Sequence, residues 1–210
     1  MNPGARGHIV APVKCVASLG VVAAAVLLSG CGGSKKAAEV QGSFVGEVAG
    51  STAFVAVVAG KGNVAAYVCD GAHGVAELFT GPRSGSSVAL TAKDGSKLDA
   101  RLAAGKATGS VTVGGTKRTF TADPAEGKAG FYRAIGKVQG KEATAGWVVL
   151  ADGRQRGALR TTTVLAAPTL NTATQTATLG SGGTISPVLI TPTQASRAGL
   201  QGGFGGGFSG

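Results

Sequence analysis

The sequence predicts an all-β protein in which an antiparallel meander closes as a small up-and-down barrel. Between residues 43 and 163, short runs of Val, Ala, Thr and Phe alternate with glycine-bearing turns. Several of these turns are Asp-Gly or Gly-Gly dipeptides, which supply the positive φ of tight hairpins, and no long amphipathic helix interrupts them. A two-sheet sandwich is the alternative, because a meander of about ten strands also folds into two layers.

The first four strands are predicted at residues 44–49, 53–59, 64–69 and 75–80, with a loop at 82–87. Strand 53–59 is apolar on both faces, as is the segment 147–150, so both should be covered on each side. Three hairpins are predicted from their turns, with residues 131–138 as a strand between the last two. The hairpins pair 88–93 with 97–102 across Asp94-Gly95, 109–113 with 117–122 across Gly114-Gly115, and 145–151 with 154–160 across Asp152-Gly153.

Residues 164–210 differ in composition from the preceding domain: Thr, Ala, Gly and Pro dominate, and Arg197 is the only charged residue. This composition predicts a disordered tail. Two alternatives remain within it. Alternating threonines at 172, 174, 176 and 178 would suit an edge strand, and the final run GGFGGGFSG is either a weak docking element or a structureless end.

Residues 1–30 resemble the signal peptide of a bacterial lipoprotein. Leu28-Ser29-Gly30-Cys31 follows an apolar run at 16–28 and places small residues before a cysteine, as in a lipobox. The run is about 13 residues long, which suits a signal peptide and is short for a membrane-spanning helix. The alternatives are a secreted protein cleaved elsewhere and a retained transmembrane anchor.

The resemblance implies cleavage before Cys31 and a diacylglyceryl thioether, with acyl chains such as palmitate, on its sulfur. More than one acyl chain gives a stable anchor. The mature protein is therefore expected on the extracytoplasmic face of the cell membrane and is held there by its lipid. Residues 31–42 would form a flexible tether, residues 43–163 the β-rich domain and residues 164–210 the tail.

The mature chain is basic. The whole chain has 20 Lys or Arg and 10 Asp or Glu, and residues 1–30 hold only Arg6 and Lys14 of these, which leaves 18 bases, 10 acids and a net charge of +8. A basic surface favours anionic partners in a salt-sensitive way. Outside the cytoplasm these are lipid headgroups, envelope polymers or acidic proteins. No nucleic acid partner is expected, since no basic run is interleaved with aromatics.

Cys69 is the only thiol after Cys31, so no disulfide is expected within the mature domain. The spacing of Cys69 and His73 would suit two metal ligands or a Cys–His nucleophile pair. A structural zinc site needs four ligands, however, and a Ser–His–Asp triad lacks its nucleophile-elbow sequence. We therefore predict no metal, no cofactor and no enzymatic activity.

Glu47 and Glu77 lie inside predicted strands. Both could point inward, and a glycosidase would need two such acids a few ångströms apart, whereas an inward glutamate beside Arg133 is more typical of a core ion pair. The large aromatics of the predicted barrel are candidate ligand-binding residues that line a cavity, and core packing is the alternative. These aromatics are Trp147, Tyr67, Phe131 and Tyr132.

The runs AGFYRA at 129–134 and GWVVLADGRQRG at 146–157 look like a type of small lipoprotein from high-GC Gram-positive bacteria. The strand-then-Asp-Gly form at 67–71 and 149–153 adds to this resemblance, which carries no catalytic motif. The favoured function is a non-catalytic binding module for a small ligand or an anionic envelope component. The alternative is a structural or accessory lipoprotein that works through a protein partner, and an enzyme dependent on Cys69 and His73 is the least favoured.

Overall fold

Glycine-bearing turns divide the first part of the fold into eight antiparallel strands. The computed structural model describes residues 39–72, 74–197, 200 and 207–209, which all belong to the unit Ala37–Gly210. The strands are β1 (Gly42–Val48), β2 (Phe54–Ala59), β3 (Asn63–Cys69), β4 (Ala76–Ser84), β5 (Ser87–Thr91), β6 (Lys97–Ala103), β7 (Lys106–Val113) and β8 (Thr116–Pro124).

These strands form a closed barrel in which each pairs with the next along the chain. β8 returns to β1 with Val45 opposite Asp123, so no strand edge is left over at the seam. The predicted antiparallel meander, closed as an up-and-down barrel, is confirmed. The predicted loop at 82–87 is wrong in part, because β4 runs to Ser84 and β5 begins at Ser87. Pro82 is tolerated there because the ladder to β5 begins only at Arg83.

Apolar side chains fill the barrel. Val57, Phe79 and Leu98 are fully buried in its interior, where they pack with the inward side chains of the other strands. An eight-stranded barrel is just wide enough for side chains to fill. The interior is therefore a packed core.

Two glycines allow neighbouring barrel strands to approach closely. A Cβ on Gly46 of β1 would lie 2.0 Å from the carbonyl oxygen of Thr121 on β8, and one on Gly109 of β7 would lie 2.0 Å from that of Asp99 on β6. No real Cβ atom fits at such a distance. These positions admit no residue larger than glycine unless the strands move apart.

The chain then leaves the barrel and forms a second sheet on its outer surface. The strands that follow are β9 (Gly130–Val138), β10 (Lys141–Val149), β11 (Gln155–Arg160), β12 (Val164–Ala166), β13 (Ala177–Thr178), β14 (Thr184–Ser186), β15 (Val188–Leu189) and β16 (Gly207–Ser209), with α1 (Pro192–Ala195) between the last two. The second sheet has the order β12-β11-β10-β9-β15, and β13, β14 and β16 form a small third sheet. The predicted strands at 131–160 are real but lie outside the barrel, because β1 and β8 have already closed it.

The second sheet buries one face against the barrel. Phe54 and Val58, on the outer face of β2, pack with Phe131, Val148 and Leu150 of or beside the second sheet. Every residue of β2 is buried, as are residues 147–150. The prediction that both segments are covered on each face is therefore confirmed. The barrel core and the interface with the second sheet cover β2. The same interface and the segment that follows residue 164 cover residues 147–150.

The prediction of a disordered tail is wrong for its described residues. Leu170, Ile185, Ile190 and Leu200 are each at most 2% exposed. Single apolar residues separated by polar ones produce no periodicity, yet each finds a place on a surface that earlier strands supply. The threonine alternation at 172–178 is mostly turn, and only residues 177–178 form a strand. Phe208 of the final run packs on Gly136, where a Cβ would lie 2.5 Å from Cδ2 of its ring.

Candidate ligand-binding cleft

A cleft opens where β4 and β5 separate. Seven residue pairs join β3 to β4, but only two join β4 to β5, namely Arg83 with Val88 and Ser84 with Ser87. The barrel-facing side of β9, β10 and β11 bounds the cleft opposite this gap. Its volume is about 730 Å³ and its lining residues are Tyr67, Ala76, Glu77, Leu78, Thr80, Thr91, Ala92, Lys93, Phe131, Arg133, Ile135, Thr144, Gly146 and Arg160.

An aromatic pair forms the apolar end of the cleft. The rings of Tyr67 on β3 and Phe131 on β9 stack with their centroids 4.8 Å apart and their planes 14° from parallel. Tyr67 also lies against the backbone of β10, since a Cβ on Gly146 would be 2.7 Å from Cζ of the ring. Burial raises the pKa of the Tyr67 phenol well above its usual value. This hydroxyl is therefore neutral and serves as a hydrogen-bonding group.

Charged side chains occupy the rest of the lining. Nη2 of Arg160 lies 2.7 Å from Oε1 of Glu77 and donates to the carbonyl of Ala76 at 2.6 Å. Burial raises the pKa of Glu77, and Arg160 opposes that shift. Nη1 of Arg133, which follows Phe131 by two positions on the same face of β9, donates to the carbonyl of Leu200 at 2.7 Å. Burial lowers the pKa of the Arg133 guanidinium, and Lys93 is exposed at the mouth.

The structure separates the four aromatics predicted to line one cavity. Tyr67 and Phe131 contribute to the cleft lining although they are only 6% and 1% exposed, whereas Trp147 and Tyr132 lie on the opposite face of the second sheet and are each 1% exposed. Nε1 of Trp147 donates to the carbonyl of Pro168, and the hydroxyl of Tyr132 donates to that of Lys128. Adjacent residues on a strand point to opposite faces, so Phe131 and Tyr132 cannot share one cavity. Trp147 and Tyr132 are therefore core residues, which was the alternative to a role in ligand binding.

Cys69 is fully buried in the interface between the barrel and the second sheet. Its Sγ donates to the carbonyl of Arg156 at 3.1 Å. Burial raises its pKa from 9.0 to about 12, so the thiol is protonated at neutral pH. His73, its partner in the proposed metal or nucleophile pair, lies outside the described residues. A neutral buried thiol is a poor nucleophile and a poor metal ligand.

We expect native Cys69 to resist alkylation. Raising the pKa from 9.0 to about 12 lowers the thiolate fraction at pH 8 by about a thousandfold, and the thiolate is the species that reacts. The measurement is the rate of carbamidomethylation by iodoacetamide, followed by mass spectrometry of the mature chain carrying Cys31→Ala. The control is the Cys69→Ala, Ala104→Cys variant, whose thiol lies in an exposed turn. Equal rates for the two thiols would show that Cys69 is accessible and activated.

The two glutamates considered as paired carboxylates lie in different places. Glu47 is bound to Arg154 at 2.6 Å beside an open depression of about 620 Å³ between β1, β8 and the β10–β11 turn. Glu77 lines the cleft and is bound to Arg160. The ion pair expected between a glutamate and Arg133 is thus made by Arg160 with Glu77. Each carboxylate is held by an arginine in the depression or cleft that it lines.

Within the described residues, no three His, Cys, Asp or Glu side chains come together as a metal would require. No helix among the same residues has the length and hydropathy to cross a membrane.

Sequence reasoning missed most of the polar lining of the cleft. The sequence predicts Arg133 only as a partner for a glutamate, and it indicates no role in a site for Arg160 or Lys93. The signal was the alternation Phe131, Arg133, Ile135 on β9, which places a cation between two apolar side chains on one face. Nothing in the sequence showed that this face meets the gap between β4 and β5.

Comparison with known proteins adds no relative: no protein-family model, no curated protein and no solved structure matches this chain.

Proposed function

We propose that this protein is a lipid-anchored, extracytoplasmic binding module whose ligand occupies the cleft between the barrel and the second sheet. The observation that carries this proposal is the cleft itself, whose volume of about 730 Å³ falls within the range of small-molecule sites. Its lining combines apolar side chains with charged and hydroxyl groups that could orient a ligand. The packed barrel interior makes the cleft a better candidate than the barrel mouth.

The anchor is supported by the sequence. The lipobox-like Leu28-Ser29-Gly30-Cys31 follows a short apolar run, and both lie outside the described residues. Export and acylation would hold the domain at the outer face of the membrane by a short tether. The net charge of +8 in the mature chain favours an anionic ligand or envelope component.

A binding role without catalysis accounts for the state of the candidate catalytic groups. The Cys69 thiol is buried and neutral, and Glu47 and Glu77 are bound to arginines. A buried neutral thiol is a poor nucleophile, and each carboxylate is engaged by an arginine rather than facing a second acid as a glycosidase pair would.

Native mass spectrometry tests the binding role. The host would express the mature chain with Cys31→Ala, so that the anchor adds no lipid of its own. Thr80→Trp fills the cleft, and Thr108→Trp adds the same side chain on an exposed position of β7 as the matched control. We expect a bound mass on the parent and on Thr108→Trp and its loss from Thr80→Trp. Unliganded protein in all three, or an equal bound mass on all three, would contradict the proposal.

The anchor has its own test. We expect Cys31→Ala to move the protein from the detergent phase to the aqueous phase when cells are extracted with a phase-separating detergent, because the thioether that carries the acyl chains cannot form. Cys15→Ala is the matched control, since it lies in the segment removed on processing and should leave the protein in the detergent phase. A Cys31→Ala protein that still follows the detergent would exclude anchoring through this residue.

A further inference from the structure

The lining of the cleft has more basic than acidic side chains. Lys93, Arg133 and Arg160 are basic and Glu77 is the only acid, so the lining has a formal charge of +2. Arg160 is held by Glu77 and by the carbonyl of Ala76. The other two formal positive charges of the lining are those of Arg133 and Lys93.

Arg133 is positioned more firmly than a surface arginine. Its residue is 8% exposed, and its guanidinium donates to the carbonyl of Leu200, which fixes the side chain against the barrel-facing side of β9. Charge-assisted hydrogen bonds to a carboxylate or phosphate are strongest where water is largely excluded. A partly buried guanidinium in a cleft wall provides such a place.

The apolar part of the lining is next to Arg133 in the fold. Phe131 and Ile135 flank it on the same face of β9, Tyr67 stacks on Phe131, and Leu78 faces them from β4. A ligand that reaches Arg133 is therefore close to the half-buried Leu78 and Ile135, whereas Tyr67 and Phe131 are 6% and 1% exposed and offer it little surface. Charged and apolar side chains therefore lie side by side in the lining of the cleft.

We infer that the cleft binds a small amphiphilic anion, with one carboxylate or phosphate group at Arg133 and Lys93 and an apolar body mainly against the half-buried Leu78 and Ile135. This inference depends on the proposed function, because it names the ligand class of the same cleft. A volume of about 730 Å³ suits one small molecule. The anionic group comes from a carboxylic acid or from a phosphate ester, and the two sources share the same recognition.

Two fluorescent probes of similar shape, of which only one is charged, test whether binding in the cleft requires a negative charge. 1-Anilinonaphthalene-8-sulfonate carries an anionic group, and N-phenyl-1-naphthylamine has the same rings without it. With the mature chain carrying Cys31→Ala, we expect the sulfonate to bind about tenfold or more tightly than the neutral amine. Lys93→Glu, at an exposed position, should remove most of that preference, and the matched surface variant Lys117→Glu should not.

Displacement identifies the source of the anion. Dodecanoate and dodecyl phosphate should each displace the sulfonate, and inorganic phosphate at the same concentration should not, because it lacks the apolar body. Displacement by dodecanoate alone would assign a carboxylate, and displacement by dodecyl phosphate alone would assign a phosphate ester. Equal displacement by inorganic phosphate would overturn the amphiphilic part of the inference.

The outcomes distinguish this inference from the proposed function. If both probes bind equally, are lost in Thr80→Trp and are unaffected by Lys93→Glu, the cleft is a binding site but its ligand is not an anion. If the sulfonate binds equally to the parent and to Thr80→Trp, the probe lies elsewhere, and both the inference and the assignment of the cleft are wrong.

Discussion

Gly46→Ala should lower the free energy of unfolding by about 3 kcal/mol, because the added Cβ meets the backbone of the neighbouring strand. That atom would lie 2.0 Å from the carbonyl oxygen of Thr121 and 2.8 Å from Cα of Ala122. Neither atom belongs to a flexible side chain, so β1 and β8 would have to separate at the seam that closes the barrel. Urea denaturation followed by the fluorescence of Trp147 measures the change.

Gly180→Ala is the control for this prediction. A Cβ there has open space around it, so the variant should be unchanged or slightly more stable, through the lower entropy of its unfolded chain. Equal stability of the two variants would mean that the barrel does not close as described.

Trp147→Ala should cost about 3–5 kcal/mol, the range for a large aromatic removed from a core. The indole covers Gly157 on β11, where a Cβ would lie 2.3 Å from Cδ1, and its Nε1 holds Pro168 in the segment that follows the second sheet. We therefore expect lower stability together with faster proteolysis at residues 164–197. Because the chain has no other tryptophan, urea denaturation is followed by circular dichroism, and limited proteolysis measures the second effect.

Trp147→Phe is an intermediate case. It keeps an aromatic side chain in the core but removes both the N–H donor and the five-membered ring that covers Gly157, so the lost hydrogen bond should add about 1 kcal/mol to the cost of the smaller ring. If Trp147→Ala were as stable as the parent, Trp147 would not belong to a core, and the prediction that it lines a ligand cavity would regain support.

The barrel was predictable because its information is local. Asp94-Gly95 and Gly114-Gly115 set the hairpins, and the alternation of Leu98 and Leu102 with charged residues set which face is buried. Where the meander stops was not predictable. Closure depends on β1 meeting β8, about 75 residues later, and no residue near Pro124 indicates that the ladder is complete.

The tail and the cleft were missed for a related reason. Ile185 and Leu200 are buried on surfaces made by distant segments, so their own neighbours in sequence carry no hydrophobic pattern. The cleft depends on the short ladder between β4 and β5 and on which face of β9 turns toward it. Residue type alone predicts Tyr67 and Phe131 as lining residues, but it cannot distinguish Phe131 from Tyr132, which lies on the opposite face of β9.

Chemical-shift mapping tests the central claim, that ligand binds outside the barrel in the cleft. The mature chain with Cys31→Ala, labelled with ¹⁵N, would be titrated with 1-anilinonaphthalene-8-sulfonate. The largest amide shifts should fall on β4 at Leu78 and Thr80 and on β9 at Arg133 and Ile135. Largest shifts at residues of the packed barrel interior, or beside Glu47 and Arg154, would contradict the account.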